Sequence, residues 1–215
     1  MANREPSTLH AWFGLLPPIG IAGFFGLYLY ASTLYPGGNQ ADLNATGFDW
    51  IHNYWCNLML EAGMNGSPNP ARPFAIFGMG VLCAGLSAFF IQFAVYFAQQ
   101  KGWKFLIAIN GIIAMLATMF LFTNYHDLLT IVASMFGLVT VSGILWELWQ
   151  SDLKGYKISS ILCLLLLGAN NFIYYTGHFL EALPMLQKVS FLFVLAWIVG
   201  LHRTVLRRQK QLTAN

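Results

Sequence analysis

Residues 48–66 read FDWIHNYWCNLMLEAGMNG and separate two long apolar runs of the chain. The stretch is too polar to cross a membrane and too aromatic to be an ordinary linker. Its apolar residues recur at helical spacing, and Asp49 and Gly63 stand where a helix would begin and end. We therefore predict an amphipathic helix over residues 49–63 that lies at a membrane surface. Its polar face, expected to turn toward the rest of the protein, consists of Asn53, Asn57 and Glu61.

The composition around this stretch is that of an integral membrane protein. Of the 215 residues, 57% are hydrophobic and 9% are charged, against roughly 25% charged in a soluble domain. Six apolar runs approach the roughly 20 residues that cross a hydrocarbon core. The fold class is therefore predicted to be all-α, with residues 1–215 forming one bundle of six transmembrane helices. The expected spans are 11–32, 73–97, 105–123, 128–148, 158–177 and 189–205, with an outer loop over 33–72.

Charge decides the expected orientation, since an even number of spans puts both termini on one side. Cytoplasmic loops carry an excess of lysine and arginine. Arg72 and Lys188 fall on the side of the long loop. The other nine basic residues fall on the side of the termini, and they are Arg4, Lys101, Lys104, Lys154, Lys157, Arg203, Arg207, Arg208 and Lys210. We therefore expect a plasma membrane or bacterial inner membrane protein with cytoplasmic termini. A cleaved signal peptide, suggested by Arg4 and the small residues 31–33, is the alternative for the first span.

Several classes of function find no support in the sequence. The basic residues follow the topology and form no groove-like cluster, so no nucleic acid partner is expected. Three scattered cysteines do not make a disulfide framework. The chain also lacks a nucleophilic serine motif, a phosphate-binding glycine loop, a dinucleotide fingerprint and a heme attachment motif.

Polar residues from distant positions are expected to meet on the outer side. His52, His126 and His178 belong to three separate outer segments, and span 5 carries Asn170, Tyr174 and His178 on one stripe. Polar side chains at membrane depth are costly unless they face a partner or a wet cavity. We therefore predict a polar pocket open to the outside that binds a lipid headgroup or a small polar ligand. Its candidate residues are His52, Asn53, Asn57, Glu61, His126, Asp127, Asn170, Tyr174, His178 and Glu181.

Other interpretations of these side chains stay open. Three neutral imidazoles, from His52, His126 and His178, together with a carboxylate would make a zinc site with an open position for water. The metal would turn that water into a nucleophile. Alternatively, the histidines lie at headgroup level and bond to loop backbone. Asn170 and Asn171 either line the pocket or hold helices together, because amides form hydrogen bonds across spans.

The layout resembles an uncharacterised family of prokaryotic six-span membrane proteins, one of the domains of unknown function, numbered 998. That family has a motif like Asn-x-x-Ser-Asp-Leu-Gly after its first span, and here residues 53–59 read NYWCNLM. Asn69-Pro70 and the run FAIFG at 74–78 match the lead into its second span. The layout is also similar to that of Frag and DRAM type proteins, and more loosely to alkaline ceramidases, seven-span zinc hydrolases. The resemblance implies a six-span bundle and no defined activity.

Three hypotheses of function follow, and the sequence leaves open whether the protein is an enzyme. The first is a multi-pass membrane protein whose outer pocket binds a lipid headgroup or a small polar group. The second is a zinc-dependent lipid amidase or esterase. The third is a structural subunit that packs against another membrane protein.

Overall fold

The computed structural model describes residues 8–214, with side chains from Trp12 to Leu212. Arg4, used in the orientation and signal-peptide predictions, lies outside the described residues. The described part is all-α and contains no strand, so the predicted six-helix bundle is confirmed. Six of its helices are long and apolar enough to cross a membrane, as a multi-pass membrane protein requires. They are α1 (Thr8–Leu34), α2 (Arg72–Gln92), α3 (Lys101–Met119), α4 (His126–Trp149), α5 (Lys154–Thr176) and α6 (Leu183–Ala214).

Helix α3 begins four residues before its predicted start at residue 105. The cause is Glu147 of α4, which is buried and accepts hydrogen bonds from the backbone nitrogens of Gln99 at 2.8 Å and Gln100 at 3.1 Å. These backbone groups precede the first turn of α3, where helical partners are lacking. The carboxylate therefore fixes the start of α3 and joins it to the end of α4.

Helices α1 and α2 cross at very short distance through two glycines. A Cβ added to Gly20 would lie 2.9 Å from both the Cα of Gly85 and the carbonyl oxygen of Val81. A Cβ on Gly85 would lie 3.0 Å from the Cα of Gly20. Small residues at such a crossing let two backbones touch, which is the usual way that membrane helices pack closely.

The proline pair Pro17-Pro18 lies inside α1 and frees two carbonyl groups, because a proline has no N–H for the residue four positions earlier. The Nε2 atom of Gln92 in α2 donates to the carbonyl of Phe13 at 2.6 Å. The Nε2 atom of His202 in α6 lies 2.8 Å from the carbonyl oxygen of Gly14. Both freed carbonyls are thus satisfied by buried side chains of neighbouring helices.

The predicted amphipathic helix over 49–63 was wrong. The loop between α1 and α2 is mostly irregular, and its one helical piece is a short 3₁₀ helix over Trp55–Met59. Asparagine side chains form hydrogen bonds with backbone groups that would otherwise bond within a longer helix. For example, Oδ1 of Asn57 accepts from the backbone nitrogen of Tyr54 at 2.6 Å. Such side chain to backbone bonds compete with helix formation.

Candidate functional site

The loop between α1 and α2, residues 35–71, is built around buried asparagines. Asn53 is completely buried: its Oδ1 accepts from the nitrogen of Asp49 at 2.8 Å, and its Nδ2 donates to the carbonyl of Gly38 at 2.8 Å. Asn69 donates to three carbonyls, of which that of Leu60 is nearest at 2.9 Å. Buried amides with satisfied bonds stabilise one conformation. Asn53 and Asn57 of the predicted pocket therefore belong to the internal scaffold of the loop.

Helix α6 fastens this loop to the bundle. Lys188 is buried, and its Nζ donates to the carbonyls of Asn53 and Pro184 while lying 5.8 Å from the centre of the Phe48 ring. The neighbouring Gln187 accepts from the backbone nitrogen of Trp55 at 3.1 Å. A buried ammonium needs such partners because burial removes its hydration. The loop is therefore tied to α6 through its backbone.

His52 pairs with a carboxylate of its own loop. Its Nδ1 lies 2.7 Å from Oδ2 of Asp49, and that aspartate also accepts at Oδ1 from the backbone nitrogens of Ile51 and His52. The hydrogen bond from His52 is the main cause that lowers the pKa of Asp49. In the same loop, burial raises the pKa of the Cys56 thiol to about 11, which keeps it protonated and unreactive at neutral pH.

This pair makes the loop sensitive to acid. The folded pKa of Asp49 lies below its usual 3.8, so the stabilisation is complete above that pH and is lost as the pH falls through the folded pKa. Asp49→Asn is expected to lower the free energy of unfolding by roughly 1 kcal/mol or less at pH 6, and the difference should shrink below pH 3.8. Thermal unfolding in detergent between pH 6 and pH 2 measures it. Asp42→Asn, in the same loop, is the control, and a difference independent of pH would contradict the assignment.

A second polar group joins α4 to α5 at the same end of the bundle. The hydroxyl of Tyr174 donates to Oδ1 of Asp127 at 3.0 Å, and Nδ1 of His126 lies 3.1 Å from the same oxygen. The side chain of Asp127 is 85% exposed, so the group can be reached from outside. These three of the ten predicted site residues are brought together, and we call them the polar bridge.

The other predicted site residues are either exposed or bonded to partners outside the polar bridge. His178 and Glu181 are exposed. Glu61 forms an ion pair of 3.2 Å with Arg72. Asn170 donates to Ser190 of α6 at 2.6 Å, which matches the interpretation that it holds helices together. Asn171 bonds to the carbonyl of Leu167 in its own helix at 2.8 Å.

The three histidines of the predicted zinc site do not form a metal-binding group. Within residues 8–214 the structure contains no group of three or more histidine, cysteine, aspartate or glutamate side chains that could hold a metal ion. His52 pairs with Asp49 and His126 with Asp127, each at a different place. The zinc site stays a prediction that the geometry of these side chains does not support.

Below the polar bridge, α4 and α5 are loosely packed. No residue from Leu128 to Val139 or from Leu164 to Tyr174 is buried. Toward the other end both helices do bury side chains, beginning at Thr140 in α4 and ending at Cys163 in α5. Helix α4 packs closely along α3 but makes few contacts with α5. The two stretches, about 15–18 Å long at 1.5 Å per residue, therefore pack loosely against each other, and we call the region between them the α4–α5 opening.

The sequence of α4 explains the loose packing. One stripe at spacings of three and four residues carries the large buried side chains Val141, Ile144 and Leu148 at one end. The same stripe continues toward the polar bridge with small residues at positions 130, 134 and 137, which are threonine, serine and glycine. A Cβ added to Gly137, or to Gly168 of α5, would meet no atom within 4 Å. Small residues on the inward stripe therefore leave space that larger ones fill elsewhere.

Sequence reasoning did not find the α4–α5 opening or the roles of Gln92 and His202. The change from large to small residues along the α4 stripe was the available signal for the opening. Comparison with known proteins adds no constraint, because no family model, curated protein or solved structure matches the chain. The resemblance to the uncharacterised six-span family therefore stays a prediction.

Proposed function

We propose that the protein binds a membrane lipid, with acyl chains in the α4–α5 opening and the headgroup at the polar bridge. The observation that carries this proposal is the stretch of both helices in which no residue is buried, directly below Asp127 and Tyr174. Apolar walls with a few convergent polar groups at one end suit an amphiphile. The arrangement agrees with the orientation expected from the basic residues, in which the polar bridge faces outward and the termini lie in the cytoplasm.

Charge at this end of the bundle favours a particular kind of headgroup. The exposed carboxylates at this end are Asp42, Glu61, Asp127 and Glu181. Of the two basic residues there, Lys188 is buried under the loop and Arg72 is paired with Glu61. Carboxylate oxygens accept hydrogen bonds and attract cations. An ethanolamine headgroup, which carries an ammonium, is therefore expected to bind more tightly than an anionic glycerol headgroup.

Filling the α4–α5 opening tests the proposal. Gly137→Leu and Gly168→Leu put a side chain into space that is open next to each glycine. Retention of phosphatidylethanolamine is expected to fall about tenfold, which corresponds to about 1.4 kcal/mol. Native mass spectrometry of the detergent-purified protein with added phosphatidylethanolamine gives the bound fraction.

Gly26→Leu is the matched control, because a Cβ on this α1 glycine also meets no atom within 4 Å. It should leave lipid retention unchanged. Tyr174→Phe, which removes the hydroxyl bonded to Asp127, should weaken retention about threefold to tenfold. Equal loss in Gly26→Leu and Gly137→Leu, or no loss in any variant, would refute lipid binding at this place.

A further inference from the structure

Helix α2 is followed directly by a wide helical turn that holds an arginine of α6. Residues Phe93–Phe97 form a π-helix, closed by a hydrogen bond of 3.0 Å from the nitrogen of Ala98 to the carbonyl of Phe93. Nη1 of Arg208 donates to the carbonyl of Phe97 at 3.1 Å, and the guanidinium of Arg208 lies 4.0 Å from the centre of the Phe97 ring. π-helical turns are rare and occur often at functional sites. The turn fixes the position of one guanidinium group.

Arg208 faces an open depression. The depression has a volume of about 310 Å³. Among residues 8–214, the ion pairs of 4 Å or less do not include Arg208, so it has no carboxylate partner there. A guanidinium has five N–H donors, and one bond to Phe97 leaves others for a ligand. The lining residues are Tyr96, Gln99, Arg208, Gln211 and Leu212.

The surroundings of the depression are positively charged. The described acids at this end are Asp152 and Glu147, and Glu147 is buried with both oxygens bonded to the start of α3. One apolar side chain of the lining, that of Leu212, is 63% exposed. The other described cations at this end are Lys101, Lys104, Lys154, Lys157, Arg203, Arg207 and Lys210.

We infer that this depression binds the phosphate of an anionic phospholipid. Arginine suits phosphate because its planar fork donates two parallel hydrogen bonds, and the phenol and amides of Tyr96, Gln99 and Gln211 supply further donors. The exposed apolar side chain of Leu212, which also lines the depression, suits the start of an acyl chain. The site lies at the opposite end of the bundle from the polar bridge and does not depend on the proposed lipid there.

General attraction between basic residues and anionic membranes is the competing explanation. That attraction depends on the number of charges and not on which arginine carries them. Arg207 and Arg208 are neighbours in α6, but Arg207 is exposed whereas Arg208 is held at Phe97. Substitution of either one removes the same charge, so the pair separates a defined site from diffuse attraction.

Binding of phosphatidylglycerol to the detergent-purified full chain, followed by native mass spectrometry, tests the site. Arg208→Gln is expected to weaken binding at least about tenfold, as for loss of a charged hydrogen bond, whereas Arg207→Gln should change it less than about twofold. Phosphatidylcholine should bind more weakly than phosphatidylglycerol to the unmodified protein. Equal losses in the two arginine variants would overturn the inference.

A second variant and a soluble competitor complete the experiment. Gln211→Leu removes an amide from the depression without touching Phe97, and it should weaken binding about threefold to tenfold, so it carries the test if Arg208→Gln fails to fold. Glycerol phosphate, added as a soluble competitor, should not displace the lipid at equal concentration. Displacement at equal concentration would overturn the lipid assignment in favour of a soluble phosphate compound.

Discussion

Asn53→Leu is expected to lower the free energy of unfolding by about 4 kcal/mol, because it leaves several buried polar groups without partners, each worth about 1–3 kcal/mol. The nitrogen of Asp49 and the carbonyl of Gly38 both lose the side chain that satisfies them. Asn53 is also the residue whose carbonyl accepts from Lys188, so disorder here spreads to the contact with α6. Thermal unfolding in detergent gives the stability, and limited proteolysis of the loop gives its local order.

Asn44→Leu is the matched control, since Asn44 is an exposed residue of the same loop. It should change stability by less than about 0.5 kcal/mol, as is usual for surface substitutions. Asn53→Asp, which keeps the shape but loses the Nδ2 donor to Gly38, should lie between the two. Equal stability of Asn53→Leu and Asn44→Leu would show that the loop does not depend on this amide.

Gly20→Leu is expected to lower the free energy of unfolding by about 3 kcal/mol, at the upper end of the usual cost of overpacking. The atoms that a Cβ would meet at 2.9 Å belong to the backbone of α2, so a rotamer change cannot relieve the contact. The two helices must therefore separate, and the aromatic contacts around Phe24 in the same helix weaken. Gly85→Leu should have a comparable effect from the other side.

Gly26→Leu provides the comparison within α1, because its added side chain meets no atom within 4 Å. It should leave the midpoint of thermal unfolding within about 2 °C of the unmodified protein, the shift for less than 1 kcal/mol in a chain of this size. A similar loss of stability at Gly20 and Gly26 would mean that the two glycines serve backbone conformation and not the crossing.

The six helices could be predicted because length and apolar composition alone decide which segments can cross a membrane. The loop could not, because asparagines four residues apart fit a helical polar face and also fit side chains that bond to the backbone. Asn53 and Asn57 do the second, and only the surrounding chain decides between the two. The start of α3 could not be predicted for the same reason, since the carboxylate that binds the backbone there belongs to Glu147, far along the sequence.

Three of the polar residues that were expected to lie together on the outer side do so, namely His126, Asp127 and Tyr174 of the polar bridge. Asp127 and Tyr174 are 47 positions apart and form a hydrogen bond, because each lies at the end of a helix that reaches the same surface. His52 is instead held by Asp49, three residues away, and this local pairing was not foreseen from the sequence. Topology therefore predicts which end of a bundle a residue reaches, but not which neighbour it chooses there.

The proline pair in α1 bears on how the chain is assembled during synthesis. Helix α1 leaves the ribosome before α2 to α6 and carries two acceptors that its own backbone leaves without a donor, and each costs several kcal/mol in a lipid environment. Their donors, Gln92 and His202, arrive with the second helix and the sixth. The backbone of α1 is therefore satisfied only after α6 has been made, which couples the insertion of α6 to the final position of α1.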